Sequence, residues 1–177
     1  MGCWGITAFE SDAGLDSIDY IRDLLPSNGR LNLAAVVAAI QEEQVRLPDV
    51  KEAQAHSSPM ALAELLVKLA GHDMGGLDYD GEWAKKRRRF ADVTSCEAPK
   101  ESLRWVRDYL ADTLKYAREN AQQNGNWNGW IEEKNWAAWQ GHMEGLVSRL
   151  DGFLDFPNDP VELLPHGSQE CRQEMKW

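Results

Sequence analysis

The sequence predicts an all-α protein: an irregular bundle of about five helices, with an anchored N-terminal segment and an extended C-terminal strap. Three observations lead to this. Apolar residues recur at 3-4 spacing in four separate segments, the period of a helix face. No stretch alternates like a strand, apart from a short extended piece near residues 4–9. The last segment carries a bundle seam, in which Trp136, Trp139, Met143, Leu146, Leu150 and Phe153 step by 3, 4, 3, 4 and 3. Trp136 and Trp139 are therefore expected to be buried structural anchors.

The elements follow in order. Residues 12–25 read as a helix with Leu15, Ile18, Ile21, Leu24 and Leu25 on one broad face, Asp12 as its cap, and Pro26-Ser27-Asn28-Gly29 as its break. Residues 32–46 read as an Ala-rich helix capped by Asn32, with Leu33, Val36, Val37 and Ile40 facing inward and Pro48 ending it. Residues 49–57 are polar and read as loop. Ser58-Pro59 opens a third helix with an apolar stripe of Leu62, Leu65, Leu66 and Leu69, and Gly71 stops it. A Gly- and Asp-rich loop covers 72–81. Residues 82–92 read as a short helix with Trp83 and Phe90 on one side, and 93–99 as a loop. A long helix runs from about 100 to 123 on Leu103, Val106, Leu110, Thr113 and Ala117, with Trp105, Tyr109 and Tyr116 along its flank. The bundle domain is placed at 1–153. The tail, 154–177, holds Pro157, Pro160 and Pro165 and little periodicity; Phe156, Leu163, Leu164 and Trp177 are its candidate contacts with the bundle.

The first sixteen residues are the most distinctive. Gly2 and Gly5 let the chain turn around Trp4, and Phe9 follows before an acidic helix start. Termini fray unless something holds them, so Trp4 and Phe9 are expected to insert into the core as anchors. The pattern Met1-Gly2-Cys3-Trp4-Gly5, then a Phe, then an Asp-rich helix start, resembles the opening of the bacterial domain of unknown function 4259. Ala61 to His72 resembles that family's Ala-rich central helix, Asn126 to Trp130 its turn before the last helix, and Trp136 to Leu150 that helix. The likeness covers roughly residues 1–153. It implies a helical bundle and assigns no activity. Cys3 and the basic run near residue 87 are not part of the family's pattern.

At 177 residues the chain suits one domain with a single core. Its apolar fraction is 43%, and eight Trp supply large core side chains. The net charge of −10 argues against general nucleic-acid binding and against anionic membrane surfaces, and it is compatible with a basic partner. The N-terminus shows neither a basic n-region nor an apolar h-region, and no stretch approaches the roughly 20 apolar residues of a membrane span. Cys3, Cys96 and Cys171 are far apart and form no Cys-x-x-Cys pair. A cytoplasmic protein with free thiols is expected.

The chain carries no recognisable catalytic or cofactor motif. The histidines, His56, His72, His142 and His166, include no i, i+4 pair, so there is no zincin-type motif. His72, Asp73, Asp78 and Asp80 lack the order of an EF-hand loop. There is no Gly-x-Ser-x-Gly elbow and no phosphate-binding Gly-rich loop. Cys96 falls in an exposed-looking loop where a thiol could react, but no neighbour in sequence lowers its pKa. No catalytic residue, cofactor or metal is assigned.

Two charged features remain. Lys85, Lys86, Arg87, Arg88 and Arg89 form a basic run in an acidic chain. They read as candidate phosphate or RNA contacts, or as a solvated helix whose charges pair with acids elsewhere in the bundle; the second is favoured. Asp12, Asp16, Asp19 and Asp23, spaced 4, 3 and 4, line one helix face away from the apolar one. They are candidate contacts for a basic partner, or an ordinary solvated face. The leading expectation is protein–protein binding, most concretely by a small acidic cytoplasmic inhibitor such as an immunity protein that neutralises a basic toxin. The alternatives are an enzyme or small-ligand binder with a Trp-lined pocket, and a phosphate or RNA contact through residues 85–89.

Overall fold

The computed structural model describes residues 2–43, 47–52, 56–78, 86–125 and 131–164. Five α-helices are present among them: α1 (Asp12–Asp23), α2 (Leu33–Glu42), α3 (Ser58–Ala70), α4 (Lys100–Asn124) and α5 (Trp136–Leu154). Three short strands join them: β1 (Arg30–Asn32), β2 (Ser95–Ala98) and β3 (Val161–Leu164). The protein is mostly helical, and the all-α expectation is corrected by this sheet.

The helices form where 3-4 patterning requires them. The Asn32 side chain accepts from the Ala34 amide at 2.9 Å and starts α2, as its sequence position suggests. Gly125, at φ 70°, ends α4 in the left-handed conformation. The stop of α3 lies one residue beyond the expected place. Gly71 keeps a right-handed backbone, and His72 takes φ 53°. The His72 and Asp73 amides then donate to the carbonyls of Leu69 and Lys68, closing the helix end. Helix α3 is buried at almost every position from Ser58 to Leu66, which makes it the central rod. Helices α4 and α5 pack along each other as a hairpin.

The sheet has the order β1-β2-β3. β1 and β2 are parallel, with Leu31 opposite Cys96, and β3 runs antiparallel to β2, with Val161 opposite Ala98. Leu31, Cys96, Ala98, Val161, Leu163 and Leu164 are buried against the helices. Part of the presumed tail is thus integral: Leu163 and Leu164 make the expected contacts, but as a paired strand, whereas Phe156 is exposed. The Asp159 side chain also accepts from the Lys100 amide at 3.0 Å, capping α4, whose own Pro99 makes no side-chain cap. Trp177 lies outside the described residues.

The core runs continuously from Ile18 and Ile21 through Leu62, Leu65 and Leu69 to Leu110, Trp139 and Leu150. Trp139 is fully buried, as expected. Trp136 is only half-buried and stacks on Trp139 with ring centroids 5.4 Å apart, so it covers the core edge. The Tyr109 hydroxyl donates to the Pro48 carbonyl at 2.5 Å and fastens the α2–α3 connection to α4. Cys96 is not on an exposed loop. It is fully buried in the middle strand, and burial pushes its thiol up to about 12. Burial likewise raises Tyr109 to about 12.

Replacing Trp139 by Ala is expected to cost about 3–5 kcal/mol in urea melts, and Trp136→Ala clearly less, because only the first opens a cavity. Alkaline titration offers a separate check. Cys96 and Tyr109 start from ordinary values of 9.0 and 10.0 and both rise on folding. Their contribution to stability is complete below pH 9 and is lost as the pH climbs from about 9 toward 12, since the unfolded chain ionises first. Melts at pH 8, 10 and 11 should show this decline, and Cys96→Ala together with Tyr109→Phe should flatten it.

Candidate functional site

The N-terminal segment folds into a compact turn against the start of α1. The Trp4 amide donates to the Glu10 carbonyl at 3.0 Å, the Asp12 amide to the Gly2 carbonyl at 3.0 Å, and Cys3 bridges to Ser11 as in a sheet. Glu10 reaches back, and its Oε2 accepts from the amides of Ile6 and Thr7 and from the Thr7 hydroxyl, each at 3.0 Å. These bonds, the Thr7 amide first, hold its carboxyl below the usual range. The helix cap is Ser11: its Oγ accepts from the Gly14 amide at 3.0 Å. Asp12, expected as the cap, stands one position inside the helix and accepts instead from the Gly2 amide at 2.6 Å. Gly14 makes this packing possible, since a Cβ there would lie 1.7 Å from the Ala8 carbonyl oxygen.

Trp4 does not enter the core. It is 55% exposed, and the buried anchor of the segment is Ala8. The backbone lattice explains the exchange, because the bonds from residues 2, 4 and 8 turn Ala8 inward and leave the indole outside. A Cβ on Gly2 would lie 3.6 Å from the Trp4 ring and 3.7 Å from Asp12 Oδ2, so the indole and that carboxylate flank one spot. Phe9 is half-buried against the core, with the Lys68 ammonium 5.9 Å from its ring centroid.

A buried carboxylate holds the turn from beneath. Glu64, on α3 and 6% exposed, accepts from the Ala8 amide through both oxygens, at 2.9 and 3.1 Å, and pairs with His142 Nε2 on α5 at 2.6 Å. His56 lies beside it, also 6% exposed, with Nδ1 at 3.6 Å from the Cys3 sulfur. Its Nε2 meets no hydrogen-bond partner among the described residues. Burial lowers the His56 imidazole below its ordinary value, against the upward pull of the Ile6 backbone and of Glu64. The Cys3 thiol is raised, first by burial and then by the charges of Glu10 and Glu132, so it stays protonated and is a poor nucleophile.

The acidic stripe and the basic run meet each other. Arg87 donates to Asp19 Oδ2 at 3.1 Å and to Asp23 Oδ1 at 3.0 Å. Arg88 donates to the backbone carbonyls of Asp23, at 3.1 Å, and of Leu25, at the C-terminal end of α1 where cations are favoured. Arg22, 2% exposed, bonds Asp19 and the Leu77 carbonyl and lies 5.2 Å from the Phe90 ring centroid. Asp78 accepts from the amides of Phe90 and Ala91 at 2.9 Å and stands 3.8 Å from Arg22 and 3.9 Å from Arg89. Residues 87–89 are not helical and Phe90–Asp92 form one 3-10 turn, so the helix expected over 82–92 does not run through its second half; residues 82–85 lie outside the described residues. Lys86 is exposed, and Lys85 and Trp83 lie outside the described residues. Asp12 and Asp16 are exposed on α1. Sequence reasoning singled out both charged features; it missed Arg22, which reaches the Leu77 carbonyl 55 residues on, and weighed Asp78 only as a loop acid, not as the acceptor for the Phe90 and Ala91 amides.

Elsewhere, an open cleft of about 570 Å³ lies between the end of α4 and the start of α5, lined by Trp136, Arg118, Gln122, Ile131, Glu133 and Gln140. Arg118 spends its donors there on Gln140 at 2.7 Å and Glu144 at 2.6 Å. Asp73 pairs with Lys68 and is separate from Asp78 in its contacts. Among the described residues no group of three His, Cys, Asp or Glu side chains converges as a metal site, and no helix is long and apolar enough to cross a membrane. No family model, no curated protein and no solved structure matches the chain.

The arginine cluster makes α1 sensitive to two of its aspartates. Asp19→Asn should cost about 1.5–3 kcal/mol, because it weakens hydrogen bonds to the buried guanidinium of Arg22. Asp23→Asn, whose pair is largely exposed, should cost under about 1 kcal/mol. Urea melts of the two single variants separate these outcomes.

Proposed function

We propose that this is a protein-binding protein that docks through its N-terminal face, with Trp4 as the anchor and Asp12 and Asp16 as the flanking charges. The observation that carries the reading is a Trp 55% exposed on a turn whose backbone is hydrogen-bonded on both sides. Trp side chains are enriched among the residues that dominate protein interfaces, and a fixed backbone beneath the indole lowers the ordering cost of docking. The partner is a basic protein, because the neighbouring carboxylates and a net charge of −10 favour one electrostatically. Its concrete form is a small acidic inhibitor acting in the cytoplasm, of the immunity-protein kind, that neutralises a basic toxin. Asp19 and Asp23 belong to the arginine cluster and contribute to the fold ahead of the interface. The resemblance of residues 1–153 to the bacterial domain of unknown function 4259, most specific in the first sixteen, adds a bacterial setting and no activity.

A second reading, small-ligand binding, is favoured by the Trp136 cleft and is tested by ligand-induced changes confined to Arg118, Gln122 and Gln140. Phosphate or RNA contact by the basic run draws least support, since Arg87 and Arg88 are turned onto α1.

Trp4→Ala should leave stability within about 0.5 kcal/mol, as for other exposed substitutions. It should weaken binding to a partner captured from the native cell, identified by mass spectrometry and purified, by roughly thirtyfold, the equivalent of a 2 kcal/mol interface anchor. Asp16→Lys should slow association, with the difference shrinking as salt is raised. Equal dissociation constants for the wild type and Trp4→Ala would remove the N-terminal face as the docking site.

A further inference from the structure

We propose that His56 is an acid-sensitive latch: its protonation releases the N-terminal turn from α3 and α5 and so withdraws the ordered Trp4 face. As a control on binding, this rests on the protein-binding reading above; as a conformational device, it rests on geometry alone.

His56 is 94% removed from solvent by its 6% exposure, and it lies directly behind the turn, with Nδ1 3.6 Å from the Cys3 sulfur. The neutral ring can be accommodated there with a thiol on one nitrogen. An imidazolium carries a donor on each nitrogen, and Nε2 has no acceptor among the described residues. The charged ring therefore gains by reaching water, and the nearest cover to move is the turn itself. The groups facing His56 set the balance. Cys3 and Glu10 stand on the turn, Glu64 on α3 and His142 on α5. Burial opposes a positive ring most strongly and His142 adds to it, while the Ile6 backbone, Glu64 and Glu10 favour one. Protonation thus creates an unsatisfied donor beneath the turn.

The sign follows from burial. The closed state binds the proton less readily than the open state, in which the ring is hydrated. Opening is therefore favoured as pH falls below the ordinary imidazole value of 6.5. Histidine-driven switches of this kind need a local element that is bistable by a small margin.

Amide hydrogen exchange on the free full-length protein tests the device without any partner. The reporters are the amides of Ile6, Thr7 and Ala8, which donate to Glu10 and Glu64. After correction for intrinsic exchange, their protection should fall by at least about tenfold between pH 7.5 and 5, a window above the usual carboxylate range. Protection at Val106 and Leu110 of α4 should fall less. In His56→Gln the pH dependence at residues 6–8 should flatten. A wild-type pH dependence in that variant, or a parallel fall in α4, overturns the proposal. If His56→Gln does not fold, nuclear magnetic resonance titration of the wild-type imidazole decides: titration below 6.5 supports the latch, and titration at or above 6.5 overturns it. Failure here leaves the Trp4 docking surface standing, and failure of the Trp4→Ala binding test leaves the latch standing.

Discussion

A carboxylate buried among leucines joins three parts of this chain. Glu64 sits on the most buried helix, between Ala63 and Leu65, where an unpaired charge would cost several kcal/mol. Two groups offset that cost, the Ala8 amide and the His142 ring, and they come from opposite ends of the sequence. The N-terminal turn, α3 and α5 can therefore satisfy Glu64 only in one mutual arrangement. Apolar packing tolerates small slips along a helix face, whereas a carboxylate with two fixed donors does not. The position of Ala8 beneath the turn, and with it the close approach of Gly14, follows from this contact.

The charges of α1 are organised in a similar way. Four aspartates on one helix repel one another, and the chain carries no compensating lysines nearby in sequence. Compensation comes from the segment after residue 85, which brings Arg87 and Arg88 onto the far end of α1 while Arg22 fills the space beneath. The segment needs no regular structure for this. Its own backbone is held by Asp78, which caps Phe90 and Ala91. The acidic and basic blocks are thus largely a single structural unit, and Trp4 stands exposed beside its N-terminal end.

The helices were legible because burial of one face leaves a period in the sequence, as in the seam from Trp139 to Leu150, and because a cap such as Asn32 acts over two residues. The strands were not. Ser95-Cys96-Glu97-Ala98 has neither β-branched residues nor aromatics, and it is a strand only because Leu31 and Leu164 lie beside it. Trp4 misled for a related reason: hydrophobicity argues for burial, but the direction of a side chain on a tight turn is set by backbone bonds to Glu10 and Asp12. Glu64, Arg22 and Asp78 look like solvated residues in sequence, since each owes its role to a group 10 or more positions distant. Of the candidate site, the residue types were visible and their assembly was not.

The placement of β3 bears on how the protein is handled. A boundary drawn at residue 153, where helical periodicity ends, would remove the outer partner of β2. The chain left behind would present a bare strand edge lined with Cys96 and Ala98, a template for pairing with other copies. It would also lose the Asp159 cap of α4. A fragment chosen on helical grounds would then be exposed to self-association as well as to loss of the core contacts of Val161, Leu163 and Leu164.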